Sequence, residues 1–243
     1  PMKGKMLNIR GESVSKIGEN KEINEIKQIL GLEHGKVYNK ELVKSKLRYG
    51  KLLFMTDQDL DGSHIKGLGI NMFHCEWRSL VGINGFINFM NTPIIKARKG
   101  NNELLFYNDT EYTKWKETNN TNGYNIKYYK GLGTSTGKEF KEYFKNKRII
   151  NLTYDDKCDD SIDMVFNKKR SSDRKDWIKD ISATKDIDMS KTSLSYDEFI
   201  NGEMIHFSRY DCDRSIPNIL DGNKISQRKV LYCAFKKGLE KEI

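Results

Sequence analysis

Three carboxylates spaced two apart, Asp57, Asp59 and Asp61, stand in the run Thr56-Asp57-Gln58-Asp59-Leu60-Asp61-Gly62-Ser63-His64. Like charges a few ångströms apart raise one another's pKa unless a cation compensates them, so a divalent metal is their natural partner. Oxygen donors with no His or Cys among them favour Mg²⁺, with Mn²⁺ or Ca²⁺ as substitutes. The same spacing opens an EF-hand loop, but the twelfth position, where that loop needs a bidentate Glu, is Leu68. The plainer alternative is a solvated acidic turn that caps a helix.

The elements that must hold these groups are legible on either side. Leu52-Leu53-Phe54-Met55 is an apolar run of strand length, and Ile65, Leu68, Met72 and Phe73 recur at helical spacing beyond the turn, with Ser63 as the expected N-cap. Strand, acidic turn and helix make half of a βαβ unit. In open α/β sheets, ligand sites gather where loops leave the carboxyl ends of strands.

The chain has 243 residues, enough for one large or two ordinary domains, and its 43 Lys+Arg against 34 Asp+Glu give a net charge of +9. A basic body around an acidic, metal-suited turn fits phosphodiester chemistry on nucleic acid, where Lys and Arg neutralise phosphates. The four cysteines are scattered with no C-x-x-C pair, as in a reduced cytosolic or nuclear protein. No apolar run reaches membrane-spanning length and no signal peptide is visible, while Pro1 in place of Met points to a trimmed chain.

Along the chain, a basic arm carrying Lys3, Lys5 and Arg10 leads into an expected strand at Met6–Ile9, and Asn20–Leu30 reads as an amphipathic helix closed by Gly31. Short β segments are expected at Gly85–Phe89, Pro93–Ala97, Leu104–Tyr107 and Asn125–Lys130, with a helix at Asp109–Glu117. Gly131-Leu132-Gly133-Thr134-Ser135, between a strand and the helix from about Thr136 to Lys145, has the makings of a phosphate cradle and equally of a tight structural turn. Lys168, Lys169, Arg170, Arg174, Lys175 and Lys179 form a candidate phosphate-tracking surface or a solvated charged face. Residues 184–195 read as a linker, and a helix capped by Ser226 should turn Val230, Leu231, Ala234 and Phe235 inward.

Taken in order, the basic arm Pro1–Arg10, the acidic turn, Thr92-Pro93-Ile94-Ile95-Lys96, Tyr128-Tyr129-Lys130-Gly131-Leu132-Gly133-Thr134-Ser135, Asp173-Arg174-Lys175-Asp176-Trp177 and Arg214-Ser215-Ile216-Pro217 resemble the single-chain type II DNA topoisomerases of eukaryotes and large DNA viruses. The motifs span nearly the whole chain. Asp221-Gly222-Asn223-Lys224-Ile225-Ser226-Gln227-Arg228-Lys229 resembles the opening of the breakage-reunion part, which in bacterial relatives is a separate polypeptide. Ile225-Ser226 stand where the family usually has Pro-Gly, which bears on the loop that presents Lys224.

The resemblance implies an α/β TOPRIM fold, a Rossmann-like parallel sheet flanked by helices, at 1–98 without its first strand and glutamate, an α+β extension at 99–183, the linker, and the first helices of a winged-helix domain at 196–243. It implies Mg²⁺ held by Asp57 and Asp59 with Asp61 close by, and DNA contacts from Lys5, Asn8, Arg174, Lys175 and Lys224. The implied whole protein is an ATP-driven, homodimeric enzyme that cleaves and reseals double-stranded DNA, nuclear if cellular and in a replication compartment if viral. The implied nucleophilic tyrosine, its arginine, the TOPRIM glutamate and the ATPase lie outside Pro1–Ile243, so this piece alone is expected to be inactive. Two other readings remain open: a different TOPRIM nuclease or primase, and a non-catalytic basic nucleic-acid-binding module.

Overall fold

The computed structural model describes residues 2, 4–129, 131–179, 187 and 191–239. Helices α1 (Val14–Glu19), α2 (Lys21–Leu30) and α3 (Lys40–Lys46) come first, and α2 ends at Gly31 in the left-handed conformation the sequence called for. Met6–Ile9, expected as a strand, is irregular, although Met6 and Ile9 are buried in the main core. Burial alone met the needs of their side chains, and no neighbouring strand takes up the backbone.

Strand β1 (Leu52–Phe54) leads into the long helix α4 (Leu60–Glu76), followed by a short α5 (Arg78–Val81) and β2 (Ile87–Asn91). Two sheets then form. Strands β3 (Ile95–Lys99), β4 (Asn102–Phe106) and β5 (Asn125–Tyr128) make a small antiparallel sheet in the order β4-β3-β5, backed by α6 (Asp109–Thr118). After α7 (Gly137–Lys145), β6 (Arg148–Thr153) returns to pair with β2, so that Asn91 lies opposite Arg148. Helices α8 (Cys158–Phe166) and α9 (Ser171–Lys179) precede β7 (Ser193–Ser195).

The main sheet has the order β1-β2-β6-β7. The pairs β1–β2 and β6–β7 are parallel, as expected of a βαβ fold, but β2–β6 is antiparallel, so the sheet is mixed. The strand at 148–153 is absent from the sequence expectations because its flanks, Lys147 and Arg148, break the apolar run. The expected linker at 184–195 ends in β7, whose Leu194 is buried; residues 184–186 and 188–190 lie outside the described residues.

Beyond β7 the chain is helical from Tyr196 to Ser215: a turn at Tyr196–Phe199 (α10), a π-helical turn at Ile200–Met204 and α11 (Ile205–Ser215). Tyr196, Phe199, Ile200 and Met204 belong to the same core as Phe73, Trp77, Phe86 and Phe89. Each such side chain taken fully from water contributes about 1.5–3 kcal/mol, so residues 196–207 are tied to the sheet by packing rather than hung from it. The last helix, α12 (Ile225–Lys237), is different again: Val230 and Phe235, expected to face inward, are 68% and 82% exposed. It begins at Ile225, one residue before the expected Ser226 cap, and Gln227 Oε1 accepts the Lys224 N–H at 2.8 Å. No helix among the described residues is long and apolar enough to cross a membrane.

Candidate metal and DNA site

The acidic turn leaves the carboxyl end of β1, as the βαβ reading required. Its helix starts four residues earlier than a Ser63 cap would allow. Asp59, in extended backbone, is the N-cap, and its Oδ1 accepts the Gly62 N–H at 2.7 Å. A Cβ on Gly62 would fall 1.8 Å from the Asp57 carbonyl oxygen, so the turn closes only around glycine. Ser63, freed from capping, is buried and donates to Glu203 Oε2 at 2.9 Å. Gln58 Nε2 donates to the Met90 carbonyl at 3.2 Å and fastens the turn to the end of β2.

The three carboxylates have three different surroundings. Asp57 Oδ1 accepts the Leu132 N–H at 2.5 Å, and Gly131, at φ +88°, lets the loop come this close. The Gly131-Leu132-Gly133 turn therefore holds a protein carboxylate, in place of the phosphate its glycines suggested. Asp59 lines a cleft of about 400 Å³ with Gln58, Leu60, Asp61, Ile94, Tyr128 and Tyr210. Asp61 is gripped by two cations: Arg214 binds it in bidentate fashion at 2.7 and 3.0 Å, and Lys5 Nζ lies at 2.8 Å. The Arg214 hydrogen bonds, and then those of Lys5, hold the Asp61 carboxyl far below its ordinary range.

Among the described residues no group of three or more His, Cys, Asp or Glu side chains converges to hold a metal ion. Asp61, expected beside the metal with the other two, is taken up by Lys5 and Arg214 because two positive groups already neutralise it. The remaining pair still suits Mg²⁺, which is commonly held by only one or two protein carboxylates with phosphate and water completing its shell. Asp59 keeps Oδ2, and Asp57 its own Oδ2, unbonded among the described residues.

Around the turn lies a set of anchors the sequence reading assigned no role. Lys66, 2% exposed, donates to Glu203 Oε2 at 2.7 Å and lies 4.7 Å from the Phe89 ring centroid. His64 stacks on Phe207 at 4.1 Å. Burial first, and then the charge of Lys5, pull its imidazole down to about 4, so it is neutral near pH 7. Helix α11 thus supplies Phe207 and Arg214 to the acidic turn while Glu203, one turn earlier, holds α4. The only sequence signal for this was the apolar periodicity shared by 196–208.

The expected DNA-contact residues divide. Lys175 and Lys224 are exposed, and Lys5 is partly exposed within its ion pair. Asn8 is committed inside the molecule: its Nδ2 donates to the Phe166 carbonyl at 2.9 Å and its Oδ1 accepts from Asn71 at 3.0 Å. Arg174 donates to the carbonyls of Met164 and Asn167 at 2.9 and 2.6 Å, closing the end of α8. Neighbouring cations are also paired, Lys168 with Glu12 and Arg170 with Asp160 and Asp173, so the basic stretch is less open than its composition suggested.

The profile of the C-terminal associated domain of TOPRIM matches residues 90–212. All of this chain aligns with DNA topoisomerase 2 of Plasmodium falciparum at 51% identity over 245 residues, and with DNA topoisomerase 2 of Arabidopsis thaliana at 46% over 250. The chain belongs to the DNA topoisomerase 2 family. It spans 17% of each of those two relatives. A crystal structure of the Plasmodium falciparum topoisomerase II DNA-binding, cleavage and re-ligation domain superposes with a TM-score of 0.88 at 49% identity, covering all of this chain and 33% of that one. The whole of this chain thus aligns with a part of that Plasmodium falciparum domain. The profile match runs across residue 98 and through 184–195.

Proposed function

We propose that the chain is the metal-binding and part of the DNA-holding surface of an ATP-dependent type II topoisomerase that cleaves and reseals double-stranded DNA. The observation that carries this is the pairing of family membership with two hard-oxygen carboxylates, Asp57 and Asp59, at the carboxyl end of β1. These two would hold Mg²⁺, for which Mn²⁺ or Ca²⁺ can substitute, and the ion would supply charge stabilisation at the scissile phosphate and its leaving 3′-oxygen. The Leu132 N–H orients Asp57, and the Gly62 N–H orients Asp59. Asp61 acts through its neighbours: it sets Arg214 and Lys5 beside the turn, where they meet an approaching DNA backbone.

Lys175 and Lys224 add to the DNA surface as exposed cations, while Asn8 and Arg174 act by shaping the scaffold under it. The tyrosines here, Tyr129 and Tyr210 among them, are not the nucleophile, which the family carries elsewhere; the chain alone is expected to relax no supercoils. The whole protein is read as a homodimer, nuclear if cellular and in a viral or host replication compartment if viral, acting in chromosome segregation or its viral counterpart.

The test is decatenation of interlinked circular DNA by the full-length protein with Mg²⁺, with and without ATP, comparing wild type with Asp59→Ala, alongside DNA binding in EDTA. ATP-dependent decatenation that disappears in the variant, with DNA binding retained, supports the reading. Primer synthesis or simple hydrolysis without strand passage would assign the acidic turn to another TOPRIM chemistry.

A further inference from the structure

Several buried polar atoms have no partner among the described residues, and Asn91 is the side chain that lacks one for both its donor and its acceptor. Asn91, the last residue of β2, is 4% exposed, and neither its Nδ2 nor its Oδ1 bonds to another group among the described residues. It lines a cavity of about 140 Å³ with Lys147, Arg148, Lys191 and Thr192. Three chain segments build that cavity: the end of β2 with Asn91, the stretch holding Arg148, its register partner across the sheet, and that of Thr192, whose carbonyl accepts the Asn151 N–H at 2.9 Å. Lys191 is paired with Glu198 at 2.8 Å, and Arg148 lies over the Tyr107 ring at 4.0 Å. Lys147, Arg148 and Lys191 make the described lining cationic.

Buried amides in folded proteins are almost always bonded, so a side chain that keeps both a donor and an acceptor unbonded calls for a partner that supplies both, water or a ligand. A phosphodiester supplies only acceptors. A hydrogenphosphate group supplies acceptor oxygens for Nδ2 and the cations, and one P–OH for Oδ1. At roughly 30 Å³ per water the cavity has room for several waters or for one tetrahedral oxyanion.

We propose that the Asn91 cavity is a binding site for a phosphomonoester-class oxyanion, inorganic phosphate or the terminal phosphate of a nucleotide chain. The site is separate from the acidic turn, yet Gln58 bonds the carbonyl of Met90, the residue before Asn91, so an occupant would steady the end of β2 on which that turn leans.

The experiment is equilibrium dialysis of the full-length protein with radiolabelled orthophosphate at constant ionic strength, for wild type, Asn91→Leu and Lys147→Glu. Asn91→Leu keeps the branched shape and removes both amide groups; Lys147→Glu changes an exposed side chain and tests the charge without touching the core. The expected result is one phosphate fewer per chain in Asn91→Leu and a roughly tenfold weaker site in Lys147→Glu, which is about 1.4 kcal/mol. Displacement of label by a 5′-phosphorylated duplex, but not by its 5′-hydroxyl twin, identifies a nucleic-acid terminus as the source; displacement by neither identifies free phosphate. Equal phosphate binding by all three proteins would overturn the proposal.

Discussion

At Gly131 a Cβ would lie 2.6 Å from Asp57 Oδ2, and the backbone, at φ +88° and ψ 172°, is in a region essentially reserved for glycine. Gly131→Ala is therefore expected to cost about 1–3 kcal/mol and to push Asp57 off the Leu132 N–H. Urea denaturation should report the first effect, and a higher Mg²⁺ requirement for DNA cleavage by the full-length protein the second. The acidic turn itself was legible from residue types alone, because two-residue spacing, a strand before and a helix after are local facts. The fate of each carboxylate was not. Asp61 meets Arg214 across 153 positions and Asp57 meets Leu132 across 75, and nothing in the spacing of the three aspartates announces either partner. The same holds for Asn8, whose acceptor, the Phe166 carbonyl, is 158 residues away.

At the scale of elements, α4 is positioned by what its small residues permit. A Cβ on Gly69 would come within 2.4 Å of the Phe54 ring of β1, and one on Gly67 within 2.7 Å of Met204 Sδ, so the helix lies close to both the sheet and the π-helical turn. The Lys66–Glu203 pair locks this arrangement. Glu203→Ala would leave a cation 2% exposed without its counter-charge, at an expected cost of about 3–5 kcal/mol. Asp61→Ala, whose ion pairs are a third exposed, should cost about 1 kcal/mol or less. Thermal melts of the two variants should separate them in that order. Helices α2, α6 and α7 and strands β3 to β5 were readable within a few residues because each has a local cap or alternation. Strand β6 and helix α8 were not, since β6 is defined by pairing with β2 and β7 and α8 by packing against α4 and α10. The inward face expected for α12 also failed: amphipathic spacing says that a helix has an apolar side, and not what that side meets.

For the whole molecule, acid should be the weak direction. Burial holds the His74 imidazole, set between Arg10 and Asp159, below its ordinary 6.5, so the unfolded chain takes up a proton that the folded chain refuses. Stability therefore declines as pH falls below about 6.5. Hydrogen bonds from Arg78 hold Asp159 below its ordinary 3.8, so its contribution is intact above that value and is lost progressively beneath it. Urea midpoints at pH 7.5 and 5.0 should fall for wild type and fall less for His74→Gln. The sheet register has another consequence. Because Asn91 and Arg148 sit opposite each other, everything between them leaves the main sheet and returns at the same point. That excursion behaves as an inserted cassette: it can lengthen, shorten or be excised at a two-residue doorway without asking the four-stranded sheet to re-register. Asp57 draws its amide support from inside the cassette and the Asp59 cleft takes Ile94 and Tyr128 from it, so variation in this insert reaches those two carboxylates and leaves Asp61 to Lys5 and Arg214.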